Sequence, residues 1–327
     1  MKKIGLIDVD HSNFPNLALM KLSAYHKAQG DQVGWYTPFE HYDIVYVAKV
    51  FAFSEDWLEP INADRVIKGG SGYMIRTIDG KEGWYPFEFH KKIRRQGVEF
   101  MDELPYAIEH IYPDYSIYPM YTKDTAYGFL TRGCPRGCDF CHVAVKEGKK
   151  TYKVADLKEF WNGQKNIVLC DPNILACKDW KELLYQLIDS KAWVDFNQGL
   201  DIRMMTEDKA QMLSQIKTKQ IHFAWDRYQD KELVLPRLEM FAKHTKLNSH
   251  NRIVYTLVNF DTTIDQDLER IYTLRKMGYW AYVMVYDKEN ADPIYKKIAR
   301  WVNNRFIFAK CERFEDYWNN QNQNTNH

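Results

Sequence analysis

The chain has 327 residues, of which 45% are apolar and 27% are charged, and its formal net charge at pH 7 is +1. This length is enough for about two domains, and the composition is that of a globular protein, which excludes a disordered, collagen-like or coiled-coil chain. The balanced charge gives no general attraction for nucleic acid, and no apolar stretch reaches the roughly 18 to 20 residues that span a bilayer, so we expect a cytoplasmic protein with no membrane partner.

The first 75 residues alternate between strand-like and helix-like patterns. The apolar run at Lys3–Asp8 predicts a buried strand, and apolar residues at helical spacing predict a helix from Leu17 to Gln29 that ends at Gly30. Further strand-like runs follow at residues 32–36, 43–48 and 65–70. The alternation favours a small, doubly wound parallel sheet over residues 1–75.

Residues 76–123 have a less regular pattern. They contain many tyrosines, a basic run from Lys91 to Arg95 and several prolines. A solvated linker would not carry so many aromatic side chains. We therefore expect a connecting segment that packs against the body of the protein.

Residues 124–318 return to an even succession of strand-like runs with helical patterns between them. The runs lie at residues 126–130, 166–169, 193–196, 220–225, 252–258 and 280–286. Six such units in this length predict a partial (β/α)6 TIM-type barrel, since a closed barrel of eight units takes about 250 residues. The polar tail, residues 319–327, is expected to be frayed. The predicted fold class is therefore α/β.

Three of the six cysteines are clustered directly after a predicted strand. Cys134, Cys138 and Cys141 fall within eight residues, with Gly133 and Gly137 permitting a tight backbone path between them. Soft thiolates favour zinc or an iron-sulfur cluster over hard cations, and a reducing cytosol makes disulfides a poor explanation. The spacing therefore predicts a metal centre.

The identity of the metal stays open on these residues alone. A structural zinc site needs a fourth ligand, and His142 is adjacent to the cluster. The remaining cysteines, Cys170, Cys177 and Cys311, lack the spacing of a second cluster, and we interpret them as buried or incidental thiols.

The segment at residues 134–141, CPRGCDFC, resembles the CxxxCxxC loop of the radical S-adenosylmethionine (SAM) superfamily, with Phe140 at the aromatic position before the last cysteine. The preceding strand and the later βα units are similar to the partial barrel of that family. The resemblance implies that the three cysteines bind a 4Fe-4S cluster and that SAM occupies the open iron. It further implies reductive cleavage of SAM to a 5′-deoxyadenosyl radical, with an electron donor such as flavodoxin or ferredoxin.

Polar residues follow the predicted barrel strands, where such a fold gathers its site. We expect Asn197, Gln198, Asp201 and Arg203, after the third strand, and Asp226, after the fourth, to bind SAM or an anionic or amide-bearing substrate. An alternative is that Asp201 and Arg203 form a structural pair that caps their loop. Other polar groups at strand ends are Asp171, Asn173, Arg227, Asn259, Asp261, Tyr286 and Asp287. The Gly-Gly-Glu motif that the family usually carries after its second strand is absent.

Residues 3 to about 72 resemble the cobalamin-binding Rossmann-like domain that precedes the barrel in many radical SAM proteins. The likeness lies in the first strand, the Gly30-Asp31-Gln32-Val33 segment and the glycines at 69–72. The resemblance implies cobalamin as a possible cofactor. His11 is the histidine of the first loop, but the Asp-x-His-x-x-Gly pattern of a cobalt ligand is not reproduced. A degenerate domain that covers the barrel mouth is the alternative, and the missing GxGxxG pattern disfavours NAD.

The sequence therefore predicts a radical SAM enzyme whose substrate is a small molecule, a peptide or a nucleotide, modified by methylation, methylthiolation or rearrangement. One alternative is a non-catalytic zinc or iron-sulfur protein whose N-terminal domain binds a partner. A Rossmann-type methyltransferase that uses SAM as an ordinary methyl donor is disfavoured, because no glycine-rich loop follows the first strand.

Overall fold

The computed structural model describes residues 1–78, 81–84, 97–101 and 103–323. It has α-helices and parallel β-sheets, which confirms the predicted α/β class. The chain divides into two compact units. The first unit comprises Met1–Pro172 with Cys177–Asp179, and the second comprises Asn173–Ala176 with Trp180–His327. Within the described ranges, no helix is long and apolar enough to cross a membrane.

The first unit contains eleven strands and five α-helices among its described residues. The strands are β1 (Lys3–Asp8), β2 (Gln32–Trp35), β3 (Tyr42–Ala48), β4 (Ala63–Gly69), β5 (Ile75–Ile78), β6 (Lys81–Trp84), β7 (Val98–Met101), β8 (Thr125–Gly128), β9 (Thr131–Arg132), β10 (Tyr152–Lys153) and β11 (Asn166–Leu169). The helices are α1 (Leu17–Ala28), α2 (Ser71–Met74), α3 (Tyr106–Glu109), α4 (Pro119–Thr122) and α5 (Val143–Lys146).

The N-terminal part of this unit is a five-stranded parallel sheet in the order β2-β1-β3-β4-β7. Strand β1 is buried along almost its whole length, as its apolar run predicts. Helix α1 begins after Asn16, whose side chain accepts a hydrogen bond from the Leu19 amide at 3.2 Å, and Gly30 follows its end with a φ of +80°. The predicted strands and helix of this region are confirmed.

The region expected to be a connector contributes directly to the N-terminal sheet. Its strand β7 pairs in parallel with β4 as the fifth strand. Farther along, the Asp114 carboxylate accepts hydrogen bonds from Ser23 at 2.6 Å and Lys27 at 2.5 Å, both on α1. The segment is therefore packed against the body of the first unit, as its tyrosine content predicts. The basic run from Lys91 to Arg95 lies outside the described residues.

The C-terminal part of the first unit has the parallel pair β8 and β11 and the antiparallel pair β9 and β10. Strand β8 ends at Gly128, where a Cβ atom would lie 2.4 Å from the ring of Phe160. Phe160 is buried, so the ring has little room to move. Glycine is needed here because the ring packs directly on the strand backbone.

The second unit contains four strands and seven α-helices among its described residues. The strands are β12 (Trp193–Phe196), β13 (Ile221–Ala224), β14 (Arg252–Val258) and β15 (Trp280–Val285). The helices are α6 (Trp180–Ser190), α7 (Glu207–Leu213), α8 (Lys231–His244), α9 (Ile264–Lys276), α10 (Pro293–Asn303), α11 (Arg305–Lys310) and α12 (Phe314–Gln323).

Strands β13, β14 and β15 form a parallel sheet in chain order. Each is connected to the next by a helix, and the segment after β12 runs beside β13 through a parallel bridge between Leu200 and Phe223. The sequence predicts these strands to within a few residues. Neither unit contains a closed barrel among its described residues, so the partial barrel itself remains a prediction.

The polar tail differs from its prediction, because α12 continues through residue 323. Phe314 and Tyr317 are buried and anchor the helix, and the ring of Phe314 lies 5.6 Å from that of Trp301 on α10. Trp318 adds a third aromatic side chain, with its ring 5.9 Å from that of Phe314, and the remaining residues of the helix are polar. Residues 324–327 lie outside the described residues.

We expect Gly128→Ala to destabilise the protein by about 1–3 kcal/mol, because the new methyl group overlaps the buried Phe160 ring. The matched control is Gly34→Ala on β2, where a new Cβ atom would meet no other atom within 4 Å. Urea unfolding measures both free energies. Equal stability of the two variants would contradict the packing described for Gly128.

Candidate functional site

The three clustered cysteines lie in the loop between β9 and α5 of the first unit. All three side chains are half-buried. The Cys141 amide donates to the Cys138 carbonyl at 3.0 Å, which turns the backbone at the end of the loop. The carbonyl of His142 then accepts from the Lys146 amide at 2.9 Å, so α5 begins directly after the last cysteine. Phe140 is half-buried within the same loop.

The start of the loop is held by backbone contacts that require glycine. Gly133 has a φ of +77°, and a Cβ atom there would lie 2.2 Å from the Lys150 carbonyl oxygen. Its amide donates to the Glu147 carboxylate at 2.9 Å, while the Cys134 amide donates to the Gly148 carbonyl at 3.2 Å. These contacts tie the first cysteine to the segment after α5.

A buried carboxylate anchors the strand that leads into this loop. Asp171, just after β11, accepts hydrogen bonds from the Leu130 amide at 3.0 Å and from the Thr131 amide and hydroxyl at 2.5 and 2.6 Å. Burial raises the pKa of Asp171 to about 6, although the hydrogen bonds that it accepts act in the opposite direction. Asp171 is thus a positioning residue for the cysteine loop.

The donor set of the loop fits an iron-sulfur cluster by its chemistry, since three thiolates are the ligands that such clusters and zinc prefer. Among the residues that the structure describes, no three His, Cys, Asp or Glu side chains are grouped in a way that could hold a metal ion. Convergence of the three sulfur atoms on one point therefore stays a prediction from the sequence.

In the second unit, the structure brings together Asp201, Arg203 and Asn173. The Arg203 guanidinium donates to Asp201 at 2.8 Å and to Asp230 at 2.9 Å, and the Asn173 amide donates to Asp201 at 3.3 Å. Asp201 also caps the short 3-10 turn Ile202–Met204. Burial lowers the pKa of Arg203, but the two carboxylates outweigh it and raise the pKa above its ordinary value. The structure therefore shows Asp201 and Arg203 as a structural pair that caps their loop, which is the alternative interpretation of these two residues.

Asp226 lies at the end of β13, where its carboxylate accepts the Leu257 amide of β14 at 3.3 Å. Burial raises the pKa of Asp226 to about 6, against the opposing charges of Arg270 and Arg203. The residue is therefore a buried acid, within electrostatic reach of the Asp201–Arg203 pair.

Arg270 on α9 ties together the carboxyl ends of β13 and β14. Its side chain is fully buried and donates to the carbonyls of Trp225, Asp226 and Leu257 at 2.6–2.7 Å, and to the Asp267 carboxylate. Sequence reasoning missed this group. The available signal was a charged pair three residues apart, on a helix face shared with apolar residues.

Asn197 and Gln198 occupy the turn after β12. Asn197 is half-buried and Gln198 is exposed. Gly199, with a φ of +80°, donates its amide to the Phe196 carbonyl at 2.9 Å and closes the turn. The structure thus presents the two amide side chains on a short, well-defined turn.

A second group that the sequence missed lies on the strands of the second unit. The rings of His222 on β13 and Tyr255 on β14 stack with centroids 5.2 Å apart. His222 Nδ1 and Asp195 Oδ1 are buried and have no hydrogen-bond partner within the described part of the chain. Burial lowers the pKa of His222 and raises that of Asp195, while each charge opposes the shift of the other. The signal in the sequence was a single polar residue between apolar neighbours on each strand.

Two of the other residues proposed at strand ends, Asn259 and Asp261, contact residues that are distant in the sequence. Asn259, which has a positive φ of 64°, donates its amide to the Tyr286 carbonyl at 3.0 Å. Asp261 lies 3.4 Å from the Gln229 amide. The Asn259 contact joins the ends of β14 and β15.

Comparison with known proteins adds no assignment, since neither the protein-family models nor the curated proteins that were searched match this chain.

We expect Asp171→Asn to lower the free energy of unfolding at pH 8 by about 1–3 kcal/mol, because an amide nitrogen would face backbone amides that now donate to a carboxylate. The control is Asp124→Asn, an exposed residue of the same unit whose loose ion pair with Lys165 contributes little. Urea unfolding of both variants tests the anchoring role. A loss no larger than that of the control would refute it.

Asp226→Asn should behave differently, because its acceptor oxygen can be kept while the buried charge is removed. The pKa of Asp226 is about 6 in the folded protein, against an ordinary value of 3.8. The folded protein therefore binds this proton more tightly than the unfolded chain does, and the free energy of unfolding of the wild type falls as the pH rises between these two values. The difference in the free energy of unfolding between the variant and the wild type should therefore change in favour of the variant by about 1–3 kcal/mol when the pH is raised from about 4.5 to about 7.5. Denaturation at both pH values checks this, with the exposed Asp189→Asn as control. A gap that is independent of pH would contradict the assignment.

Proposed function

We propose that this chain is a radical SAM enzyme that binds a 4Fe-4S cluster through Cys134, Cys138 and Cys141. The observation that carries the proposal is the CxxxCxxC loop itself, which follows β8 and β9 and precedes a series of parallel strands. The glycine-dependent start of the loop and its anchoring by Asp171 support it, because a cluster loop has to hold three ligands in a defined geometry.

The fold that we propose for the cofactors is the partial (β/α)6 barrel, with β8, β11, β12, β13, β14 and β15 as its strands. Its support comes from the parallel pairings inside each unit, β8 with β11 and β13 with β14 and β15, and from the helices that connect the strands. In such a fold, the carboxyl ends of the strands form the site.

When bound, the cluster and SAM supply reductive cleavage of a C–S bond to methionine and a 5′-deoxyadenosyl radical. The residues of this chain bind and orient. The three thiolates hold the cluster, and Phe140 lies beside the last of them in sequence. The paired Asp201 and Arg203 shape the segment that follows Asn197 and Gln198, whose amides are our candidates for hydrogen bonds to SAM. Exclusion of water by the surrounding fold protects a radical reaction from quenching.

The substrate-binding candidates are Asp226, Asp195 and His222. Asp226 is a buried acid at a strand end. Asp195 and His222 each present a buried polar atom with no hydrogen-bond partner in the described part of the chain, which a substrate could satisfy. The substrate class remains a small molecule, a peptide or a nucleotide, and the reaction a methylation, a methylthiolation or a rearrangement.

The proposal includes an electron donor such as flavodoxin or ferredoxin, since cleavage of SAM consumes an electron. Cobalamin is a second cofactor that the proposed reaction does not require, since the loop around His11 lacks the pattern of a cobalt ligand. The alternative is a non-catalytic zinc or iron-sulfur protein, which the half-buried His142 beside Cys141 would suit as a fourth ligand.

The test is anaerobic reconstitution with iron and sulfide, reduction, and addition of SAM. We expect about four irons per chain and formation of 5′-deoxyadenosine. Replacing Cys134, Cys138 and Cys141 with alanine should abolish both. The control is the double variant Cys170→Ala and Cys311→Ala, which should keep them.

The outcomes separate the two functions. Zinc in place of iron after anaerobic preparation would favour the non-catalytic protein. Iron content that survives loss of the three cysteines, or a full cluster that binds no SAM, would overturn the radical SAM proposal.

A further inference from the structure

The five-stranded sheet of the first unit has a cavity of about 380 Å³ at the carboxyl ends of β1 and β2. Ligands of parallel α/β sheets bind at this edge, and the volume falls within the range of about 300–1,000 Å³ that small-molecule sites occupy. All of the residues that line it belong to the first unit. The cavity is independent of the cysteine loop, so its ligand is a separate question from the proposed function.

Four aromatic rings line this cavity, which we call the aromatic pocket: Trp35, Tyr36, Trp57 and Tyr118. They form two edge-to-face pairs. Trp35 and Tyr118 have centroids 5.2 Å apart, and Tyr36 and Trp57 have centroids 5.9 Å apart. Trp35 is 42% exposed although it is a large apolar residue. A flat heteroaromatic ring would bury this surface by stacking.

The polar groups of the aromatic pocket are complementary in hydrogen bonding. Asp8, at the end of β1, is buried and accepts the Tyr118 hydroxyl at 2.6 Å. Trp57 Nε1 is a buried N–H group with no hydrogen-bond partner in the described part of the chain. A buried, unpaired donor is unfavourable, and a ligand acceptor would remove that penalty. Asp8 therefore provides an acceptor beside the rings, and a ligand that reaches the Trp57 N–H would satisfy an unpaired donor.

A second cavity of about 500 Å³ shares His11 and Trp57 with the aromatic pocket. Its lining includes Asp10, Glu55 and Asp56. The Asp10 carboxylate already accepts hydrogen bonds from the Val50 and Phe51 amides. The Asp56 carboxylate accepts from the Lys68 ammonium and from the backbone amide of Trp57, whereas Glu55 is exposed. Although Lys68 balances the charge of Asp56, the carboxylates of Asp10 and Glu55 disfavour a phosphate group, whereas a carboxylate is a good acceptor for sugar hydroxyls.

We propose that the aromatic pocket binds a nucleoside without a phosphate group. The base lies among the four rings, donates an N–H to Asp8 and accepts a hydrogen bond from Trp57 Nε1. The sugar extends into the second cavity, toward Glu55. A heteroaromatic base fits better than an organic cation, because a quaternary ammonium could not accept the Trp57 hydrogen bond.

Calorimetric titration of the full chain tests this, with adenosine, guanosine, cytidine and uridine as probes. We expect at least one nucleoside to bind, and its 5′-monophosphate to bind about tenfold or more weakly because of the carboxylates. Trp57→Phe keeps the ring but removes the donor, and should weaken binding by about tenfold. Trp193→Phe, a half-exposed tryptophan of the second unit, is the control and should leave affinity unchanged.

Glu55→Gln provides a second variant that leaves the pocket walls intact. It should reduce the discrimination against the 5′-monophosphate, since one carboxylate is removed. Three results would overturn the proposal: no binding of any nucleoside at millimolar concentration, equal affinity for nucleoside and monophosphate, or binding of choline in place of nucleosides. Unchanged affinity in a folded Trp57→Phe variant would remove the role assigned to its N–H.

Discussion

The cysteine loop depends on the buried carboxylate of Asp171. Only one residue separates the end of β9 from Cys134. The hydrogen bonds that fix the backbone of Leu130 and Thr131 therefore also fix the start of the cysteine loop. Asp171 does this with three accepted hydrogen bonds in a site from which water is excluded. In such a site a hydrogen bond is strengthened and an unpaired group is penalised, so the carboxylate and its donors specify one backbone path. A loop proposed to hold a cluster through three cysteines needs this constraint, because the cysteines by themselves would leave the backbone many conformations.

The second unit uses the same principle with the opposite charge. Arg270 is fully buried and donates to three backbone carbonyls at the ends of β13 and β14. Its guanidinium spans the two strands because its donors are arranged in a planar fork. The Asp267 carboxylate balances the charge and also accepts the Thr262 hydroxyl at 2.6 Å. The turns that carry polar side chains at this edge are therefore attached to a rigid base, which is what a binding site on loops requires.

Several parts of the molecule follow from local patterns in the sequence. Strands such as β11, β12 and β14 have the predicted bounds, because apolar runs between polar turns are sufficient to define a buried parallel strand. Helix α1 begins at its predicted residue and ends one residue before the predicted end, since Asn16 and Gly30 act on the backbone next to them. The pairing of Asp201 with Arg203 was open to both interpretations, and contact with Asp230, 27 residues away, made it a structural network.

The sequence by itself determined the α/β class, the order of strands and helices, and the cysteine spacing on which the proposed function rests. These features depend on side-chain periodicity and on residues adjacent in the chain, so they are readable without coordinates. Only the tertiary structure decided that Asp171 supports the cysteine loop, that β7 joins the N-terminal sheet, and that Asp8, Trp35, Trp57 and Tyr118 line one cavity. Each of these depends on which distant segments meet after the chain has buried its apolar surface, and the pattern around any one residue does not contain that information.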